Sequence, residues 1–218
     1  MKNIKVIGLT GVKGSGKTLT ANIIDHNFKD VKEVALADKI KDTCAKVFNI
    51  PRYIFDSVKH KDVAFSDGPK KLGKYEIGSV LEEYSTFVDC RTIDSKVASC
   101  ETYITTPRNL LQIIGTEVLR EFGGEDIHCD SLVLDPESLN IVSDVRFFNE
   151  FNYLNNKYDF LPLYIKNDKA ERKGTKDLHR SEKDLFTFNS LCQQIDNNSS
   201  IRNLEKKVVI AVNDWLLK

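Results

Sequence analysis

No apolar run in this sequence approaches the ~18 residues that a membrane-crossing helix needs, and with a strand-like run starting at Ile4 we expect no signal sequence. Charge of one sign is also missing. Lys and Arg total 32 and so do Asp and Glu, for a formal net charge of zero. There is no basic surplus to grip a nucleic-acid backbone, and any positive field has to be local. Cysteine is sparse and unpatterned: Cys44, Cys90, Cys100, Cys129 and Cys192 are odd in number and contain no C-x-x-C. That argues for reduced thiols in a cytoplasmic setting and against a disulfide framework. His128 adjoins Cys129, but neighbouring side chains diverge and no second pair follows at zinc spacing, so packing is the expected role of both. Internal repeats and low-complexity tracts are absent too. At 218 residues the chain is long enough for one α/β domain with a substantial core.

What is present is a phosphate-binding loop. Gly11-Val12-Lys13-Gly14-Ser15-Gly16-Lys17-Thr18 follows a β-prone run of Ile4, Val6, Ile7 and Leu9 and precedes Ala21, Ile24 and Phe28 at helical spacing. It therefore joins a strand to a helix N-terminus. Gly11, Gly14 and Gly16 let the backbone turn and aim N–H groups at an anion, where the helix dipole adds positive potential. Lys17 reaches the β and γ phosphates, and the Thr18 hydroxyl joins the shell of Mg²⁺. The glycines do not fit G-x-G-x-x-G, so a dinucleotide site is the weaker reading.

Strands and helices alternate along the rest of the chain. Val34, Ala35 and Leu36 predict a second strand, with Asp38 just past its end and a helix carrying Ile40, Cys44, Val47 and Phe48 behind it. Asp38 is either a ligand-binding carboxylate at the sheet edge or that helix's N-cap. Residues 59–78 lack a pattern and read as a long loop or mobile insertion. Thr106-Pro107 opens a helix with Leu110, Ile114, Val118 and Phe122 down one side and Arg108, Gln112, Thr116 and Arg120 down the other. The polar stripe is either a solvated face or a site where guanidinium forks hold phosphate and an amide reads a base edge.

Leu139 to Asp144 is an apolar strand ending in a carboxylate suited to Mg²⁺ water ligands opposite Thr18, and Arg146 points the same way if the chain stays extended. A helix over Phe147 to Tyr158 and a strand over Phe160 to Ile165 follow. Next comes a polar segment with Arg172, Lys173, Lys176, His179 and Arg180, either a solvated loop or a lid that brings positive charge over a triphosphate. A strand around Cys192 to Ile195 and an amphipathic helix with Leu204, Val208, Ala211, Val212, Trp215 and Leu216 complete the chain. The alternation predicts an α/β, three-layer P-loop NTPase-like fold, a mainly parallel sheet with helices on both faces. We expect a single domain over 1–218, with a substrate-binding insertion near 50–130 and a short lid near 168–182.

Four segments together resemble the deoxynucleoside monophosphate kinases of tailed bacteriophages. They are Gly11 to Thr18, Ala37-Asp38, the run Thr106-Pro107-Arg108-Asn109-Leu110-Leu111-Gln112 with Gly115-Thr116-Glu117 and Arg120, and Asp144-Val145-Arg146-Phe147 with Asn149-Glu150. His179-Arg180-Ser181-Glu182 is a shorter fifth. The resemblance implies Mg²⁺-dependent transfer of the γ-phosphoryl group of ATP to a deoxynucleoside monophosphate, giving ADP and a diphosphate for deoxynucleotide biosynthesis, in the host cytoplasm if the gene is a phage's. It implies that Gly11, Lys13, Gly14, Ser15, Gly16, Lys17, Thr18 and Arg172 hold ATP and that Thr18 and Asp144 serve the metal. Asp38, Lys39, Arg108, Gln112, Thr116, Arg120, Arg146 and Glu150 would surround the acceptor, and Lys17, Arg146 and Asp38 would form the catalytic set. The partners are then small molecules, with no stable nucleic-acid or membrane binding; a homodimer is compatible with the sequence.

Two other readings stay open. One is a small-metabolite kinase of the dephospho-coenzyme A kinase type, in which Asp38 acts as base toward a hydroxyl. The other is a non-catalytic nucleotide-gated module. The sequence has no guanine-selecting N/T-K-x-D stretch, which counts against a GTPase-like switch.

Overall fold

A computed structural model of the chain describes residues 4–57, 59–84, 102–174 and 188–218. The chain forms two compact units, one of Met1–Leu36 with Leu132–Lys218 and one of Ala37–Ser131.

The elements run β1 (Lys5–Thr10), α1 (Lys17–Asn27), β2 (Val31–Val34), α2 (Asp38–Val47), α3 (Arg52–Asp56), β3 (Lys70–Leu72), α4 (Lys74–Glu83) and β4 (Thr102–Ile104). A continuous helical rod follows: α5 (Pro107–Gln112), a π-helical stretch (Ile113–Val118) and α6 (Leu119–Gly123). Then come α7 (Ile127–Asp130), β5 (Leu139–Val142), α8 (Phe148–Lys157), β6 (Asp159–Lys166), α9 (Asp168–Gly174), a 3₁₀ turn (Asn189–Leu191), β7 (Gln193–Asp196) and α10 (Ile201–Leu216).

In the first unit five strands form a sheet in the order β2-β5-β1-β6-β7, and every pairing is parallel. Parallel strands need both faces covered, and side chains alternate between them. Ile7 and Leu9 of β1 meet Ala21 and Ile24 of α1 and Leu204, Val208 and Val212 of α10. Gly8 faces the other way, where the Phe160 ring packs so closely that a Cβ would sit 2.6 Å from it. Phe160 in turn packs edge-on against Phe151 of α8, with ring centroids 5.8 Å apart. Trp215 is core; its indole N–H donates to Asp159 Oδ1 at 3.0 Å.

The second strand lies three residues earlier than expected. Asp30 takes a left-handed φ of 54°, and Val31–Val34 then pairs with Leu139–Val142 as the edge of the sheet. Val31 and Val34 are half-buried there, while Lys32 and Glu33, on opposite faces, sit exposed and dilute the apolar signal. The expectation of a loop over 59–78 is also corrected. Lys70–Leu72 pairs antiparallel with Thr102–Ile104, and α4 starts at Lys74 because Glu76 Oε2 accepts the Gly73 N–H at 2.9 Å while Ile77, Val80 and Leu81 are buried.

The second unit has its own core, in which Ile40 and Cys44 of α2, Phe55, Leu72, the buried face of α4, Ile104, Leu110, Ile114 and Leu119 pack together. Cys44, Cys129 and Cys192 are free and buried thiols; burial pushes Cys192 up to about 12. Among the described residues no helix is long and apolar enough to cross a membrane.

Candidate functional site

The sheet order reverses at β1, with β5 and β2 on one side and β6 and β7 on the other. Ligands of open α/β sheets bind beyond the strand ends at such a point, and the loop leaving β1 there is Gly11–Gly16. Gly11, Gly14 and Gly16 all have positive φ. Gly11 is held against backbone: its φ is 137°, and a Cβ would lie 2.6 Å from the Ile165 carbonyl oxygen. Ser15 N donates to Val12 O at 3.1 Å, which closes the loop, and Thr20 N donates to Gly16 O at 2.9 Å, which starts the helix. Lys17 is half-buried and its ammonium bends back to donate to Gly11 O at 2.6 Å and Val12 O at 3.0 Å. Thr18 lies exposed on the first turn of α1. Beneath the loop, Thr10 Oγ1 and Ser15 Oγ are buried with no hydrogen-bond partner, at a cost of about 1–3 kcal/mol each.

One strand over, Ser143 N donates to Val34 O at 3.1 Å and Val145 N to Leu9 O at 3.2 Å. These bonds fix Asp144 at the carboxyl ends of β2, β5 and β1. Its Oδ1 accepts the Leu36 N–H at 2.7 Å. Arg146 is exposed, and the turn carrying it is held by buried Glu150, whose Oε2 accepts Arg146 N at 2.8 Å and Phe147 N at 3.0 Å. Glu150 thus caps α8 and orients Arg146. On the other flank, Ala170 of α9 comes within 4.0 Å of a Cβ built on Gly14, and exposed Arg172 follows on the same helix. Tyr164 anchors that helix by donating to Glu171 Oε1 at 2.8 Å. Burial, with the glutamate's help, raises the Tyr164 hydroxyl well above its usual range. Lys176, His179, Arg180, Ser181 and Glu182 lie outside the described residues.

The fit to Mg²⁺ follows from the donor set. A Thr18 hydroxyl and an Asp144 carboxylate suit a cation that takes its remaining ligands from phosphate and water, and no group of three or more His, Cys, Asp or Glu able to hold a metal occurs among the described residues.

In the second unit, Asp38 is the first residue of α2 rather than its N-cap, which is Ala37. Asp38 Oδ1 accepts from Lys41 Nζ and Arg52 Nη2, both at 3.1 Å. Lys39 places its ammonium 4.6 Å from the centroid of the Tyr84 ring. Thr106 caps its helix as expected, accepting Asn109 N at 3.1 Å. Arg108 forms a two-pronged pair with Asp62. Gln112 and Thr116 are half-buried. Arg120 departs from the solvated stripe: it is 6% exposed, with Nη1 donating to Glu125 O and Glu125 Oε2, each at 2.9 Å. An open groove of about 450 Å³ lined by Lys46, Tyr75, Glu76, Glu82 and Glu83 contains none of the expected residues, and its carboxylates repel phosphate.

Sequence reasoning missed Asn197, whose Nδ2 donates to Ser15 O at 2.7 Å and pins the loop from the end of β7. It also missed Arg52, Asp62 and Glu125, the ion-pair partners of Asp38, Arg108 and Arg120. No local pattern marks them, since each is defined by its partner.

No family model matches the chain. It is 24% identical over 226 residues, covering 96% of both chains, to the "putative deoxynucleotide monophosphate kinase" of Acanthamoeba polyphaga mimivirus. Among solved structures it aligns with a Janibacter sugar kinase at a TM-score of 0.38 and 13% identity, over 98% of this chain and 94% of that one. It also aligns with the dephospho-CoA kinase of Campylobacter jejuni at 0.37 and 12%, over 98% of both. Superpositions this loose bear no weight. The relationship is a distant, low-identity one to a kinase-type protein.

Proposed function

We propose that this protein is a deoxynucleoside monophosphate kinase that moves the γ-phosphoryl group of ATP to the phosphate of a dNMP. The observation that supports it most is the Gly11–Thr18 loop, in which the Lys17 ammonium rests on two backbone carbonyls that a triphosphate would displace. A full-length likeness to a mimivirus protein of that description agrees with it. In this reading the loop N–H groups and Lys17 hold the triphosphate, and Arg172 adds charge from α9. When bound, Mg²⁺ supplies charge neutralisation on the transferred group, and Thr18 and Asp144 would hold it. Arg108, Gln112, Thr116 and Lys39 would read the acceptor, and Arg146 would serve the transferred group; Arg120 and Glu150 keep their neighbours in place.

The transition state is loose, so positioning and cations carry most of the rate. The acceptor phosphate is already a nucleophile at neutral pH. No strong base is required, which agrees with Asp38 Oδ1 being engaged by two cations. A kinase acting on a hydroxyl would need that carboxylate for proton transfer. The test is ATP consumption against a panel of deoxynucleoside monophosphates, ribonucleoside monophosphates and pantetheine compounds. Stimulation by one or more deoxynucleotides is the expected result; stimulation by a pantetheine compound alone, or by none, overturns it.

A further inference from the structure

The helical rod over 107–123 changes from α to π and back, and this has a consequence for its polar side. In an α-helix of 3.6 residues per turn, positions four apart overshoot each turn and the stripe drifts around the axis. A π-helical stretch takes more residues per turn, so the same spacing falls short and the drift reverses. The π stretch therefore keeps Arg108, Gln112 and Thr116 closer to one line. It also disturbs the regular i→i−4 ladder, and one carbonyl within it, that of Gly115, is bonded from outside. His128 Nε2 lies 2.8 Å from Gly115 O, and since a carbonyl only accepts, Nε2 carries the hydrogen. Nδ1 of the same ring lies 3.1 Å from the Tyr84 hydroxyl. Ser131 Oγ donates to the His128 carbonyl at 2.8 Å and lies 3.2 Å from Tyr84 Oη. The imidazole and the phenol are packed away from water: His128 is 4% exposed and Tyr84 2%. The approach is tight as well, because a Cβ on Gly115 would come 3.0 Å from Ile40 Cδ1. The face of the Tyr84 ring carries the Lys39 ammonium.

We propose that Tyr84 and His128 are positioning residues, a buried relay that fixes the π stretch through the Gly115 carbonyl and so aligns Gln112 and Thr116, and through the Tyr84 ring Lys39, for the acceptor. The proposal rests on the kinase reading for its acceptor and on the hydrogen-bond geometry for its relay. Burial pushes the Tyr84 hydroxyl up to about 12, so it remains a donor across the working range. Glutamine places an amide N–H near the position of Nε2, whereas leucine keeps bulk without a donor.

The experiment compares full-length wild type, His128→Leu, His128→Gln and Tyr84→Phe in two measurements: amide hydrogen exchange of peptides covering 113–119, and steady-state kinetics with each substrate varied. In His128→Leu we expect exchange over 113–119 and the acceptor KM each to rise about tenfold, with kcat and the ATP KM within about twofold, and His128→Gln to restore both. Tyr84→Phe, which keeps the ring under Lys39, should fall between them, and it carries the test if His128→Leu does not fold. Unchanged exchange in folded His128→Leu and Tyr84→Phe overturns the relay whatever the enzyme does. Raised exchange with an unchanged acceptor KM, or with kcat and both KM values altered alike, overturns the positioning role. A wild type that turns over no monophosphate sinks the kinase reading and the acceptor half with it, while the exchange data still decide the relay.

Discussion

The Gly11–Thr18 loop and the Thr106 helix are built from different materials. The loop offers backbone N–H groups aimed by three positive-φ glycines, and of its two lysines Lys17 is held by carbonyls. The helix offers side chains, and its two arginines already face carboxylates, Arg108 on Asp62 and Arg120 on Glu125. An anion arriving at Lys17 competes with the neutral carbonyls of Gly11 and Val12. One arriving at Arg108 has to share the guanidinium with Asp62 or displace it. A backbone site is therefore fixed chiefly by the fold, whereas a side-chain site is set by competition and is tuned by small changes.

Lys17→Ala is the sharpest test of the loop side. Turnover should fall by roughly 10²–10³-fold or more, since a preorganised cation at the transferred group is removed. The fold should persist, with the lost bonds to two carbonyls costing about 1–3 kcal/mol together in urea denaturation. Turnover retained at the wild-type level would move the chemistry away from the loop. Gly11→Ala attacks the geometry instead. With φ at 137° and the Ile165 carbonyl 2.6 Å from the new Cβ, we expect a loss of about 2–4 kcal/mol in stability and, by calorimetry, no measurable ATP binding. Normal ATP affinity in this variant would show that the loop tolerates deformation and would erase the contrast.

On the helix side the two arginines should separate. Arg120→Ala removes a nearly buried side chain and leaves the Glu125 carbonyl without its donor, so chemical denaturation should register a loss of about 1–3 kcal/mol. Arg108→Ala should stay within about 0.5 kcal/mol of wild type, because its pair with Asp62 is partly exposed. It should instead raise the acceptor KM about tenfold with the ATP KM unchanged. The reverse assignment, a stable Arg120→Ala with a raised acceptor KM, would make Arg120 the reader and Arg108 the strut.

How far each region was legible follows from the same contrast. The loop, β5, β6 and α10 announce themselves locally, in eight motif residues, in apolar runs such as Leu139–Val142, and in the Leu204–Val208–Val212 periodicity. Asn197 is invisible because the backbone it holds lies 182 residues away. The π stretch is invisible because a spacing of four reads alike in both helix types. Arg120 looks exposed from its stripe alone; only the turn that brings Glu125 over it buries it. Helix α4 was hidden by the Gly and Pro punctuation around Gly68, Pro69 and Gly73, although Ile77, Val80, Leu81 and Tyr84 carry its periodicity.

The smallest effect we expect concerns the ion pairs around Asp38, where competition among side chains is densest. Arg52 donates to Asp42 Oδ1 at 2.6 Å and to Asp38 Oδ1 at 3.1 Å, and also pairs with Asp56, while Lys41 Nζ bridges Asp38 and Asp56 at 3.1 Å each. Burial alone would raise the Asp56 carboxyl, but hydrogen bonds from Arg52 and Lys41, together with their charges, outweigh it and hold the group below its ordinary value of 3.8. A carboxyl depressed by folding contributes stability that is present above its unfolded value and is lost as pH falls through the folded one. The second unit should therefore weaken as pH drops below about 4. Asp56 is 53% exposed, so solvent screens the pair and its share should be under about 1 kcal/mol. Asp56→Asn should be slightly less stable than wild type at neutral pH and show a shallower fall between neutrality and pH 3, read from urea midpoints. An identical pH slope in the two proteins would mean that Arg52 is held by Asp42 and Asp38 alone, leaving Asp56 a spectator of the cluster that orders the start of α2.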